Sequence, residues 1–313
     1  LRFAIATLFF SLFSTGLPMT RQSDAQDHVE TRRLIIHADD AGMSHSVNRG
    51  TIEAMEKGVV TSASIMVPCP WFPEFARYAR ENPERDFGIH LTLTSEWSEY
   101  RWGPVLDRSE VPSLVNEDGF LWGSVPQVVA NVKLEDAERE LRAQIERARK
   151  FGVKISHFDP HMGAVLSRPD LAKLYVELAV EYDIPVLFVK PTEENGLAKQ
   201  YPDMIRMVPE LEKRELPILS AIYQFYDRGP YEKRKAKYLE TIRNLPAGTS
   251  EIIIHCGVND DELRAITTSV DIRDSDRRIF LDPEVRQAIE DAGVELTTWK
   301  QFHQQQEDAD QSH

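Results

Sequence analysis

Cysteine is scarce: Cys69 and Cys256 are the only two in 313 residues. They cannot build a disulfide framework, they form neither a CxxC metal knuckle nor a redox pair, and they allow one bridge at most. An excess of basic charge is missing too. Lys and Arg number 37 against 51 Asp and Glu, a formal net charge of -14, and no basic run stands out. A nucleic-acid partner is therefore excluded, because binding a polyanion needs a clustered positive surface. Long apolar runs are confined to one stretch, and no internal repeat, low-complexity block or interdomain linker breaks the rest. The length would allow two domains, but α/β barrels use about 250 residues or more as one.

The one apolar stretch runs from Phe3 to Leu17, after Arg2 and before Ser23-Asp24-Ala25. A short charged start, an apolar segment of about 15 residues and small residues at -3 and -1 describe a secretory signal, with cleavage expected after Ala25. The stretch falls short of the roughly 20 residues of a comfortable membrane span, and an uncleaved anchor is the competing reading. The expected organisation is a signal peptide over 1–25, a linker over 26–32, one domain over 33–302 and a polar tail over 303–313. The mature protein is expected to be secreted or periplasmic, with no membrane association once the signal is removed. Its oligomeric state is left open, a homo-oligomer included.

From Arg33 onward, short Ile- and Val-rich runs alternate with stretches of helical period. Strands are expected at 34–38, 62–67, 87–93, 154–158, 185–189, 218–222, 251–255 and 294–297. Helices are expected at 47–57 and 134–151, each followed by a glycine (Gly58 and Gly152), and at 171–182 and 232–245. Repeated strand and helix with continuous apolar strands argue for a parallel sheet covered by helices. Seven or eight such units predict an α/β fold of a single domain, an irregular TIM-like barrel. Chemistry then belongs at the C-terminal strand ends, and 95–125 and 190–215 read as long loops over the mouth.

Four strand ends carry acid or imidazole. The first ends at Asp39-Asp40, and adjacent carboxylates in one site need a cation or a shared proton. One Asp can then ligate a metal while the other takes a proton from water; helix-capping is the plainer alternative. In the third strand, His90 shares its face with Thr92 and Thr94 rather than with Ile89 and Leu91. In the fourth, His157, Asp159 and His161 line up at period two, a set suited to a divalent ion with some groups ligating and others orienting. A late strand delivers His255, followed by Cys256, which reads as a small buried apolar residue.

These residues are similar to the YdjC family of carbohydrate deacetylases, which includes chitooligosaccharide deacetylases and distantly resembles the NodB-type polysaccharide deacetylases. The matching pieces are HADDAGMSHSVNRGTIEAMEKGVVTSASIMV (37–67), FGIHLTLT (87–94), SHFDPH (156–161), IIIHCG (252–257) and the closing segment 277–302. The resemblance implies a barrel in which Asp40, His90 and His161 hold one divalent metal, Zn or Mg first, with Mn, Co or Ni also suited. It makes Asp39 the general base and His255 the acid, with His37, His157 and Asp159 supporting them. The chain departs from the family at His37, Ala41 and Cys256, and in having Met162-Gly163-Ala164 where further histidines are usual.

The activity so implied is hydrolysis of acetyl groups from N-acetylated or O-acetylated sugars or oligosaccharides by metal-activated water. Trp97, Tyr100 and Trp102, with Arg101 among them, follow the His90 strand and are the candidate substrate contacts, three aromatics on which a sugar could stack. The plainer reading is a loop anchored by aromatic plugs. Two rival functions are a secreted, non-catalytic carbohydrate-binding protein on the same barrel and a metal-dependent amidase or esterase with a non-sugar substrate.

Overall fold

The computed structural model describes residues 31–310 apart from 194 and 201. The expected signal segment, 1–25, lies outside them, as does the linker, 26–32, except for its last two residues. Seven parallel strands form the sheet: β1 (Arg32–Ala41), β2 (Ser62–Ile65), β3 (Asp86–Leu91), β4 (Ile155–Pro160), β5 (Ala221–Gln224), β6 (Gly248–Ile254) and β7 (Val294–Leu296). Their order is β4-β3-β2-β1-β6-β5, and β7 pairs with the first residues of β1. Helices fill most of the crossovers, which gives the expected single α/β domain with a parallel sheet.

The expected strand 185–189 is not a regular one. It makes single bridges, Phe158 with Val186 on the β4 side and Val189 with Leu219 just before β5. Pro185 and Pro191 supply no N–H at its two ends, which limits it to such bridges. The segment 190–215 carries three short helices, Leu197–Gln200, Pro202–Ile205 and Val208–Glu212, rather than open loop. Of the expected polar tail, residues 303–310 belong to the helix Trp299–Asp310. Among the described residues no helix is long and apolar enough to cross a membrane. Cys69 and Cys256 are both free and buried.

Alternation along the strands separates two cores. Leu34, Ile36, Ala38, Phe158, Ile252 and Ile254 join the large cluster shared with the helices. Ile35, Leu187, Leu219, Ile253, Trp299 and Phe302 form a small one on the opposite face. Period two places His37 and Asp39 on the Ile35 face, and Glu251 and His255 on the Ile253 face. One side of the sheet is thus a mixed interior of apolar, acidic and imidazole side chains.

The first helix, His45–Lys57, starts at Ser44, whose Oγ accepts from the Val47 N–H, and Gly58 donates back to Ala54 O. Gly50 lets this helix lie against the turn after β6: a Cβ there would fall 2.8 Å from the Gly257 Cα. The β1–β6 register, with Ala38 opposite Ile254, sets the His255 end of β6 beside the Asp39-Asp40 end of β1.

Candidate active site

Strict alternation would send Asp39 and Asp40 to opposite faces. The β1–β2 register shifts between Ala38 and Ala41, and Asp40 adopts φ 68. Asp is among the few residues that visit this region readily, at a cost of about 1–3 kcal/mol for a non-glycine. The bulge turns both carboxylates into one cavity.

His90 Nε2 and His161 Nδ1 each lie 3.5 Å from Asp40 Oδ1. The far atoms of all three residues are occupied. Arg273 Nη2 donates to Asp40 Oδ2 at 2.6 Å, and His161 Nε2 lies 3.1 Å from Glu96 Oε2. His90 Nδ1 lies 2.9 Å from Asp159 Oδ2, a short contact not aligned as a hydrogen bond. Such outer partners fix which ring nitrogen faces inward. Burial alone would raise the Asp40 pKa, but Arg273 and the two imidazoles hold it well below the usual range. Burial would likewise lower His161, but Glu96 and Asp40 push it up to about 9.

Asp39 and His255 stand beside this trio. Asp39 Oδ2 is 3.8 Å from His90 Nε2 and 3.7 Å from His255 Nε2. The His255 backbone N–H donates to Asp276 Oδ2 at 3.2 Å, which fixes the strand end. Tyr226 OH approaches His255 Nε2 at 3.4 Å and takes a hydrogen bond from Gln224. Burial lowers the His255 pKa, with Arg273 acting in the same direction and Asp40 and Asp39 opposing.

His37 underlies the pair. Its Nε2 is 3.2 Å from Asp39 Oδ1 and 3.3 Å from Asp159 Oδ2, and its ring also bonds Ser62 and Ser64. Burial disfavours its charge, but Glu251 and the two aspartates raise its pKa well above the ordinary value. A deeper layer holds His157, whose Nδ1 bonds Ser156 Oγ at 2.8 Å and whose ring stacks on Trp299. Glu251 is fully buried there, and neither carboxyl oxygen has a hydrogen-bond partner. Its burial pushes its pKa up to about 8.

The profile of the YdjC-like proteins matches residues 33–291. The chain belongs to the YdjC-like family. Relatives named carbohydrate deacetylase include one from Thermus thermophilus, 34% identical over 86% of this chain and 93% of its own length. Another, from Thermoanaerobacter pseudethanolicus, is 30% identical over 85% of this chain and 97% of its own. A solved structure from Enterococcus faecalis, assigned only provisionally to cellobiose-phosphate cleavage, superposes with TM-score 0.73 at 29% identity, covering 87% of this chain and 98% of its own.

In this YdjC-like site, the Asp40, His90 and His161 donor atoms lie within 4.8 Å of one another, and all three residues are buried. Asp40 Oδ1 has no hydrogen-bond partner, and neither has Asp39 Oδ1. Buried carboxylate oxygens without donors call for a cation. Three donors converging from three separate chain segments suit a divalent ion with room left for water. Two other groupings that include Asp159 are equally compact, but its Oδ2 is already engaged by Ser64, His37 and His90. Its Oδ1 is buried without a partner, so Asp159 can orient His37 and His90 and still offers one free donor atom.

The surrounding cavity, about 550 Å³, is lined by Asp39, Asp40, His90, His161 and His255, and also by Glu96, Tyr226 and Arg273. The last three are functional candidates that sequence reasoning missed. His157 does not join the trio, since it touches His37 from the layer below. The expected aromatic platform is corrected. Trp97, Tyr100, Arg101 and Trp102 do not line the cavity. Trp102 is buried and its Nε1–H donates to Thr94 O. Tyr100 OH donates to Met43 O, and Arg101 bonds Ser95 Oγ and Leu121 O. Trp97 packs on Trp102 beneath Arg273. The cluster anchors the loop because its polar atoms find partners within the fold.

Proposed function

We propose that the chain is a metal-dependent carbohydrate deacetylase that hydrolyses the acetamide, or an acetyl ester, of a sugar. The observation that carries this reading is that Asp39 and His255 lie beside the Asp40–His90–His161 trio and line the same cavity. The carbohydrate deacetylase relatives support it. A divalent ion held by the trio would acidify water and polarise the acetyl carbonyl.

Asp39 accepts the proton of the attacking water as its oxygen bonds the carbonyl carbon. His255 then protonates the leaving nitrogen as the C–N bond breaks, giving acetate and the free amine. The lowered His255 pKa makes its imidazolium a stronger acid for that transfer. Asp39, 3.7 Å away, is near enough to reload it. Arg273 and Glu96 hold Asp40 and His161 in place. Export through a signal at 1–25 belongs to the same proposal.

The test is acetate release from a panel of N- and O-acetylated sugars and non-sugar acetamides and esters, with and without chelator. Release from at least one acetylated sugar, abolished by chelator and restored by divalent metal, is expected. Release from the non-sugar compounds alone would overturn the substrate class. Sugar binding without any release would leave a carbohydrate-binding protein.

A further inference from the structure

A second cavity, about 610 Å³, adjoins the first. Met162, Gly163 and Leu187 line both, so the two form one depression divided by a lip. The lip has unusual backbone, with Met162 at φ 52 and Gly163 at φ 66. A Cβ on Gly163 would meet no atom within 4 Å, so the lip is unobstructed at that point.

The second cavity is walled by Leu166, Phe188, Leu197, Met204 and Met207. Among the described residues that line it, the polar side chains are already committed. Ser167 Oγ donates to Ala164 O at 2.6 Å, and Arg168 forks onto Asp170 while also donating to Val132 O at 2.7 Å. A second sugar ring would bury hydroxyls here without side-chain partners, which is unfavourable. An apolar chain loses nothing in such a place, and methionines adapt to variable shape.

We infer that the substrate is an acetylated sugar bearing an apolar substituent, an alkyl or acyl chain, which crosses the Met162-Gly163 lip into this cavity. The acetyl group then meets Asp39 and His255. The inference rests on the deacetylase reading above. Continuity with the catalytic cavity is what favours a part of the substrate over a separate protein partner as the occupant.

The test uses the full chain with its metal and the methyl, butyl and hexyl glycosides of N-acetylglucosamine, below micelle-forming concentrations. Each methylene moved out of water is worth about a fourfold gain in affinity when fully buried. KM is expected to fall at least about tenfold from methyl to hexyl, with kcat little changed. Ala172→Phe, which fills the cavity, and Met207→Gln, which makes its wall polar, should each flatten that series and spare the methyl glycoside. If the filled variant fails to fold, Met207→Gln alone decides. Equal KM across the series in the native protein, or an undiminished series in a folded variant, would overturn the inference. Should no glycoside be turned over, calorimetric affinities of the hexyl and methyl glycosides judge the cavity by themselves, and the deacetylase reading is judged by its own panel of acetylated sugars.

Discussion

Glu96 illustrates how a decisive side chain escapes sequence reading. It sits in a loop of weak periodicity, one residue before the aromatic cluster, and reaches His161 from outside any strand. Arg273 is equally silent, since it lies on a helix 233 residues beyond its partner Asp40. The strand-end residues Asp39, Asp40, His90, His161 and His255 were legible because strand ends converge in a parallel sheet and imidazole on a strand is conspicuous. Two substitutions separate the roles. Asp39→Asn is expected to keep metal bound and to lower kcat by about 10²–10⁴-fold, as loss of a general base does; metal content and turnover measured on one sample check both halves. Glu96→Gln is expected to weaken metal affinity by about 10–100-fold, as loss of an orienting partner does. Competition with a graded chelator reads that loss directly.

The strands themselves follow from composition: the expected runs end within three residues of the observed bounds of all seven strands, β1 to β7. The expectation at 185–189 fails as a regular strand because prolines remove its terminal donors. What periodicity could not show is the bulge, because a two-residue repeat assigns Asp39 and Asp40 to opposite faces until Asp40 takes its left-handed turn. Glycine contacts are equally hidden. Gly50 sits in a regular helix, where glycine is normally a weakness, yet the Gly257 backbone leaves no room for a side chain. Gly50→Ala is therefore expected to destabilise by roughly 1–3 kcal/mol, the cost of overpacking, where an ordinary helical site would gain from alanine. Urea unfolding of the variant decides, and a stabilised protein would show that the helix can move off the turn.

For the whole domain, the mixed interior makes stability depend on pH. Glu251 has an ordinary pKa of 4.5 and a folded one of about 8. Between these values the folded state holds a proton that the unfolded chain releases, so stability is lost as pH rises through the window and levels off above it. Glu251→Gln removes the titration. Its stability relative to the native protein is expected to improve by on the order of 3 kcal/mol between pH 5 and pH 8, and thermal unfolding of both proteins at the two pH values measures it. Glu251 itself was not singled out in the sequence, because one acid among Ile and Thr neighbours carries no mark of depth. The strand β1 has a last consequence. Its partners β6 and β7 come from the far end of the chain, at 248–254 and 294–296. During synthesis it therefore waits with one edge bare while more than two hundred residues are added, a state prone to mispairing with other chains. Closing so long a loop is slow, so in the birth of each molecule the cavity is among the last places to come into being.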